Sequence, residues 1–190
     1  MDAAARIRLD RFVETLLRWN AAINLIARGG AASVWQRHVE DSLQLGAFLQ
    51  PMPQRLTDLG AGGGFPGLVL SIAFGVPVDL IEEDQRKCAF LREAARITGA
   101  PATVHAVRIE AARIAPAPVV TARALAPVPR LLAYAAPLLL PDGACWFLKG
   151  REVDAELAEA ERSWVFQEER RQSRTDPGGV VLRISGLRRR

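Results

Sequence analysis

Arg55-Leu-Thr-Asp-Leu-Gly-Ala-Gly-Gly-Gly-Phe-Pro-Gly67 is the stretch that decides the fold. An apolar run ends in an acid, Asp58, and passes into five glycines within eight residues (60, 62, 63, 64 and 67) before a helix-compatible segment. Ordered glycine carries a backbone-entropy cost, so packing does not explain this density. A strand that turns through glycine into a helix is how α/β folds bring backbone amides against a nucleotide-like ligand.

Outward from the loop, short apolar runs alternate with helix-like segments. Strands are expected at 55–60, 77–82, 103–107, 118–124 and 144–149, and helices at 66–74, 85–98, 127–139 and 152–162. Such alternation predicts an α/β fold, a mostly parallel sheet with helices on both faces. Two further strands, 164–171 and 179–185, are expected to form an antiparallel edge hairpin turning at Asp176-Pro-Gly-Gly179. Toward the N-terminus, Leu9, Phe12, Val13, Leu16, Leu17 and Trp19 recur at roughly helical spacing within 2–27. Gly29-Gly30 is expected to stop that helix. Ser33 is expected to cap a second one reaching Leu49, before Pro51-Met-Pro53. The division expected is a helical cap, 1–53, on a sheet domain, 54–190.

Composition limits the classes. The chain has 190 residues, 49% apolar and 24% charged, with a net charge of +4. That is globular composition, and so mild a charge does not by itself distinguish a soluble protein from a nucleic-acid binder. The basic set is 23 Arg and two Lys, Lys87 and Lys149. Cys88 and Cys145 stand alone, and with two His they form no zinc spacing, so free thiols and no metal are expected. The first residues lack a signal-peptide core, and the apolar runs are short and broken by proline. A cytoplasmic protein with no membrane span, acting as a monomer, is expected.

Two ligand registers run through the loop. Gly62-x-Gly64-x-x-Gly67 satisfies the dinucleotide fingerprint, and Asp58-x-Gly60-x-Gly62-x-Gly64 the pattern of S-adenosylmethionine (SAM) sites. Either ligand takes an acid at the end of the second strand for its ribose. Glu82 stands 22 residues after Gly60, near the spacing of about 20 expected. Charge separates them. A pyrophosphate wants bare amides and a helix N-terminus, whereas Asp58 precedes this loop and Phe65-Pro66 follows it. SAM carries a sulfonium cation, which tolerates acidic neighbours, so SAM is favoured over NAD. Pro66 also suits the first position of the following helix.

Further motifs occur in order: Trp19-Asn-Ala-Ala-Ile-Asn24-Leu, Arg37-His38-Val-Glu-Asp41-Ser42-Leu, the glycine loop with its Phe65-Pro66-Gly67, Arg108-Ile-Glu110, Thr121-Ala-Arg123-Ala and Leu148-Lys149-Gly150. Together, over about residues 10 to 185, they make the chain resemble the RsmG/GidB family of 16S ribosomal RNA guanine-N7 methyltransferases. The resemblance implies a Rossmann-like class I SAM-dependent methyltransferase with a seven-stranded sheet and an N-terminal helical extension. Its substrate would be one guanine of 16S rRNA near the decoding region, on naked RNA or the small ribosomal subunit. Carried over by position, Gly60, Gly62 and Phe65 would line the SAM site, Glu82 would take the ribose, Ile109 and Glu110 would border the adenine, and Arg123 would complete the site. The chain departs from the family pattern at Pro118, where relatives commonly have an acid, and at Gly178-Gly179, where they often have an arginine.

The implied chemistry needs no general base. Guanine N7 presents an in-plane lone pair, so alignment carries much of the barrier drop, on the order of 7–11 kcal/mol in favourable cases. No catalytic acid or base is assigned. His38 and Asp41, three apart, are expected on one helical face, pairing with each other or fixing the cap over the sheet. Lys149 is expected either as a phosphate or carbonyl contact or in solvent. RNA contact falls to Arg28, Arg37, Arg123, Arg130 and the tail Arg188-Arg189-Arg190, expected to be disordered. An NAD-dependent oxidoreductase, a non-catalytic RNA-binding or assembly protein and a SAM enzyme with another substrate are the competing readings.

Overall fold

The computed structural model describes residues 1–27 and 30–190; Arg28, an expected RNA contact, and Gly29, an expected helix stop, lie outside the described residues. Helix α1 (Ala3–Asn20) starts where the Asp2 carboxylate accepts the Ala5 amide at 2.6 Å. It ends seven residues earlier than the hydrophobic spacing suggested, because Asn20 Oδ1 accepts the amides of Leu25 (2.8 Å) and Ile26 (3.0 Å) and folds the chain back. The second helical stretch is α2 (Ala31–Val34), a π turn (Trp35–Val39) and α3 (Glu40–Phe48). Gly30, not Ser33, occupies its N-cap, and Ser33 lies inside the first turn.

The α/β alternation follows the sequence closely. It runs β1 (Leu56–Leu59), α4 (Gly67–Phe74), β2 (Val78–Glu82), α5 (Gln85–Thr98), β3 (Ala102–Ala106), a 3₁₀ turn (Ile109–Ala111) and β4 (Ala117–Arg123). Then come α6 (Val128–Ala135), a 3₁₀ turn (Ala136–Leu138), β5 (Leu139–Lys149), α7 (Val153–Ala160), β6 (Trp164–Gln172) and β7 (Val180–Arg189). Helix α5 is bounded by Asp84, whose carboxylate accepts the Arg86 and Lys87 amides, and by left-handed Gly99. Helix α6 stops short of 139 because Pro137, without an N–H, cannot extend it. Pro66 is the N-cap of α4 rather than its first helical residue.

The seven strands order as β3-β2-β1-β4-β5-β7-β6. β1 to β5 are parallel, and β7 runs antiparallel between β5 and β6. The hairpin turn closes through the Gly179 amide on the Asp176 carbonyl at 2.9 Å. The arginine tail is strand, correcting the expected disorder: Arg188 and Arg189 pair with Val165 and Trp164, and the Arg190 amide donates to the Ser163 carbonyl at 3.1 Å.

Side chains of the strands alternate between two cores. Leu56, Leu80, Val119 and Trp146 pack beneath α4 and α5, with Leu9, Phe12 and Leu16 of α1 joining the same core. Leu59, Ile81, Val120 and Phe147 pack with Leu131 and Leu132 of α6 and Leu157 of α7. The strand order reverses between β1 and β4. In open α/β sheets the crevice at the carboxyl ends of such strands is where ligands bind.

Candidate functional site

That crevice is a cavity of about 480 Å³. The glycine loop from β1, Glu82 at the end of β2, the 3₁₀ turn after β3 and Arg123 at the end of β4 supply its walls. All seven residues singled out from the sequence, Gly60, Gly62, Phe65, Glu82, Ile109, Glu110 and Arg123, line it.

Gly60 (φ 64°) and Gly62 (φ 49°) take left-handed backbone that side chains disfavour. Glu82 fixes their turn. One carboxylate oxygen of Glu82 accepts the Gly62 amide at 2.9 Å and the other accepts the Asp84 amide at 2.9 Å. Glu82 is only 8% exposed. A buried acid at this place therefore anchors the loop and still lines the cavity, which suits a hydroxyl-bearing ligand.

Asp58 behaves differently from the expectation that it neighbours the ligand. It lies on the α4 side of the sheet, where it accepts the Gly67 amide at 3.0 Å and the Thr121 hydroxyl at 2.7 Å. It is fully buried, and burial, with Glu82 nearby, pushes its carboxyl up to about 7 against the lowering pull of those two hydrogen bonds. A Cβ on Gly67 would stand 2.5 Å from the Asp58 Cβ, so that glycine is needed for close approach. The acid that separates this loop from a pyrophosphate site is thus Glu82, not Asp58. Phe65 is no obstruction across the loop either: its ring packs edge-on to Phe12 (5.6 Å) and stacks on His38 (5.0 Å).

Arg123 is the hub between the N-terminal helices and the sheet. Its Nε lies 3.4 Å from Asp41, and its Nη2 donates to the Arg37 carbonyl (3.1 Å) and to His38 Nδ1 (2.7 Å). His38 must then be neutral with its proton on Nε2. Burial and the charges of Arg123 and Arg37 hold its pKa down at about 4. His38 and Asp41 do not pair with each other; both grip Arg123. Asp41 also accepts from Gln44 Nε2 and from Thr175 Oγ1 at 2.7 Å each, tying α3 to the β6–β7 turn. Arg123 Nη1 is buried without a hydrogen-bond partner among the described residues.

Lys149 is neither in solvent nor free for a phosphate. Its Nζ lies 2.6 Å from Glu156 and donates to the Ala126 carbonyl at 3.0 Å. Sequence reasoning missed Ala124 and Tyr134 in the cavity wall. Ala124 has φ 50°, which no local pattern announces in an alanine. Tyr134 is the sole tyrosine, four residues after Arg130, whose Nε donates to its hydroxyl at 2.5 Å; the sequence marked only the arginine. Among the described residues no group of His, Cys, Asp and Glu is placed to hold a metal, and no helix is long and apolar enough to cross a membrane.

The sheet order and the site at its switch point define a class I SAM-dependent methyltransferase fold. Solved structures agree. A TehB-like SAM-dependent methyltransferase from Corynebacterium glutamicum superposes with a TM-score of 0.62 at 17% identity, covering 93% of this chain and 98% of that one. An O-methyltransferase from Bacillus cereus in complex with SAH gives 0.59 at 13% identity, covering 92% and 90%. Within the class, the chain belongs to the GidB family, described as rRNA small subunit methyltransferase G, whose family model matches residues 6–178. Relatives named ribosomal RNA small subunit methyltransferase G include one from Gluconobacter oxydans, 57% identical over 96% of this chain and 94% of its own. Another, from Rhodospirillum centenum, is 55% identical over 96% and 86%.

Proposed function

We infer that this protein transfers a methyl group from SAM to N7 of a guanine in the 16S rRNA of the small ribosomal subunit, near the decoding region. The observation that carries the reading is the convergence of the glycine loop, Glu82 and Arg123 on one switch-point cavity in a chain of the GidB family. The residues present fit SAM. Glu82 offers remaining lone pairs to the ribose hydroxyls, Ile109 and Glu110 border the adenine, and Gly62, where a Cβ would meet only the Gly60 carbonyl at 3.7 Å, admits close approach, while Gly60 seats the Leu125 side chain. Bound there, SAM supplies an electrophilic methyl carbon on a sulfonium.

Attack by the N7 lone pair on that carbon would displace the sulfur, which would keep the electron pair of the broken carbon–sulfur bond. No proton leaves, and the guanine becomes a cation. The protein's part is alignment and exclusion of water. Phe65, wedged between Phe12 and His38, gives the loop a rigid floor. The target base must leave any stack to reach the cavity. The reading takes the protein as a cytoplasmic monomer in which residues 1–53 serve as a cap over the sheet domain.

The decisive experiment maps N7-methylated guanines in ribosomal RNA from cells with and without the gene. One position is expected to lose its methyl group; an unchanged map overturns the reading. Calorimetry with SAM and NAD separates it from a dehydrogenase, for which NAD alone would bind.

A further inference from the structure

A second cavity, of about 550 Å³, opens beside the first at the carboxyl ends of β4 and β5. The two share one wall: His38, Arg123 and Ala124 line both. Beyond that wall the second cavity is bounded by Arg37 of the π turn, by Lys149 and Gly150 at the end of β5, and by Thr175 and Asp176 of the β6–β7 turn.

The charges here fall into two sets. The inner cations are matched, Arg123 by Asp41 at 3.4 Å and Lys149 by Glu156 at 2.6 Å. The outer ones are not. Arg37 is exposed, and its carbonyl, not its guanidinium, holds Arg123. Arg151, also exposed, follows Gly150 and lies against the β6–β7 turn, where a Cβ on Gly178 would stand 2.7 Å from its Nε. Arg174, exposed as well, stands between Ser173 and Thr175, both in the cavity wall. Its amide donates to Gln44 Oε1 at 3.0 Å, and its guanidinium carbon lies 6.0 Å from the centre of the Phe48 ring. A guanidinium over a ring face keeps its in-plane N–H groups available to an anion. Among the described residues, none of these three guanidinium groups forms an ion pair. The acid nearest to offsetting them in this cavity is Asp176, whose Oδ1 accepts the Gly178 amide at 2.8 Å.

The first cavity is balanced by comparison. Apart from the shared wall, Lys87, Arg108 and Arg130 there face as many carboxylates, Glu82, Glu83 and Glu110. Arg108 lies 3.7 Å from Glu83 and 3.8 Å from Glu110. A polyanion is therefore drawn to the second cavity more than to the first.

Resting on the function proposed above, we propose that Arg37, Arg151 and Arg174 form a phosphate clamp. The RNA strand lies across the second cavity with its phosphates on these arginines, and the target base reaches the methyl group over the shared wall. Arginine suits the task because its fork of N–H groups matches phosphate oxygens. Arg151 and Arg174 were not marked by the sequence. Of the arginines that were, Arg123 is taken up in the wall and Arg130 donates to Tyr134.

Salt dependence tests the clamp. For single strands, log affinity falls with log salt by about 0.7 per phosphate neutralised. A labelled single-stranded RNA containing one guanine is titrated at several salt concentrations. The proteins are the parent, the single variants Arg37→Gln, Arg151→Gln and Arg174→Gln, and the triple variant. Each single variant is expected to lower the slope by about 0.7 and the triple by about 2, with SAM affinity by calorimetry kept. The control triple Arg11→Gln, Arg92→Gln, Arg96→Gln removes the same charge from exposed positions on α1 and α5. It is expected to keep the parent slope. A clamp triple with the parent slope, or a control triple with an equal drop, overturns the proposal. In methyl transfer to 16S rRNA from cells lacking the gene, the clamp triple is expected to raise KM for RNA roughly tenfold or more and to keep kcat; an unchanged KM also overturns it. A parent protein that methylates no 16S rRNA overturns the function itself, while the salt slopes still decide the clamp.

Discussion

Replacing Asp58 by asparagine is expected to change the pH dependence of stability in a calculable way. The carboxyl is fully buried, with a pKa raised to about 7 from 3.8. The native state therefore holds a proton that the unfolded chain has released between those values. Stability from this group is complete below about pH 4 and is lost as the pH rises through about 7. Integrated from pH 5 to pH 8, the loss is roughly 2–3 kcal/mol. His38 acts in the opposite sense. Its pKa is lowered to about 4, so its contribution is present above 6.5 and lost as the pH falls toward 4. The two partly cancel in the parent curve, and the difference between parent and variant isolates Asp58. Asparagine can satisfy both neighbours, its oxygen accepting the Gly67 amide and its nitrogen donating to Thr121 Oγ1. Relative to the parent, Asp58→Asn is expected to gain roughly 2–3 kcal/mol on going from pH 5 to pH 8. That is a shift of about 1 M in the urea midpoint. Urea titrations of both proteins at pH 5, 6, 7 and 8 measure it. Parallel midpoint curves would show that Asp58 does not change protonation between pH 5 and pH 8, and would refute the reasoning.

Gly62→Ala meets only the Gly60 carbonyl at 3.7 Å, so its cost is backbone strain at φ 49°, about 1–2 kcal/mol. SAM affinity by calorimetry should fall, and fall further for Gly62→Val; equal affinity in all three proteins would misplace the loop. Glu82→Ala leaves the amides of Gly62 and Asp84 without their acceptor. SAM binding should become undetectable by calorimetry while far-ultraviolet circular dichroism is kept, and retained binding would remove Glu82 from the site. Lys149→Met strands Glu156, which also accepts the Val128 amide at 2.8 Å. The pair is largely buried, so a loss of about 3 kcal/mol in urea unfolding is expected; the double variant Lys149→Met, Glu156→Gln should recover part of it, and equal losses would deny the coupling.

What was legible in the sequence was local. The glycine spacing, the acid after the second strand and the turn at Asp176-Pro-Gly-Gly179 are short-range patterns, and the structure realises them. Asp58 was misplaced although a signal existed. It shares a face with Leu56 by the two-residue strand period, and that face carries α4, not the cavity mouth. The helix ends at Asn20 and Ala135 were overrun because side-chain capture of amides and a proline override hydrophobic period.

The part of the site that stayed illegible is the part made by chain crossing. Residues 37–41 and Arg123 are more than eighty positions apart, and nothing in either motif says that one holds the other. The structure explains why both belong to one signature. Arg123 ends β4 at the switch point, where its guanidinium, pulled below its usual pKa by burial and supported by Asp41, needs acceptors. The π turn at Trp35–Val39 supplies two of them, the Arg37 carbonyl and a neutral His38 ring that also stacks on Phe65 of the glycine loop. Arginine, histidine and phenylalanine thus form one chain of contacts from the cap through the wall between two cavities to the floor of the glycine loop. The N-terminal helices therefore contact the site directly, through the Arg37 carbonyl, His38 and Asp41 on Arg123 and His38 on Phe65.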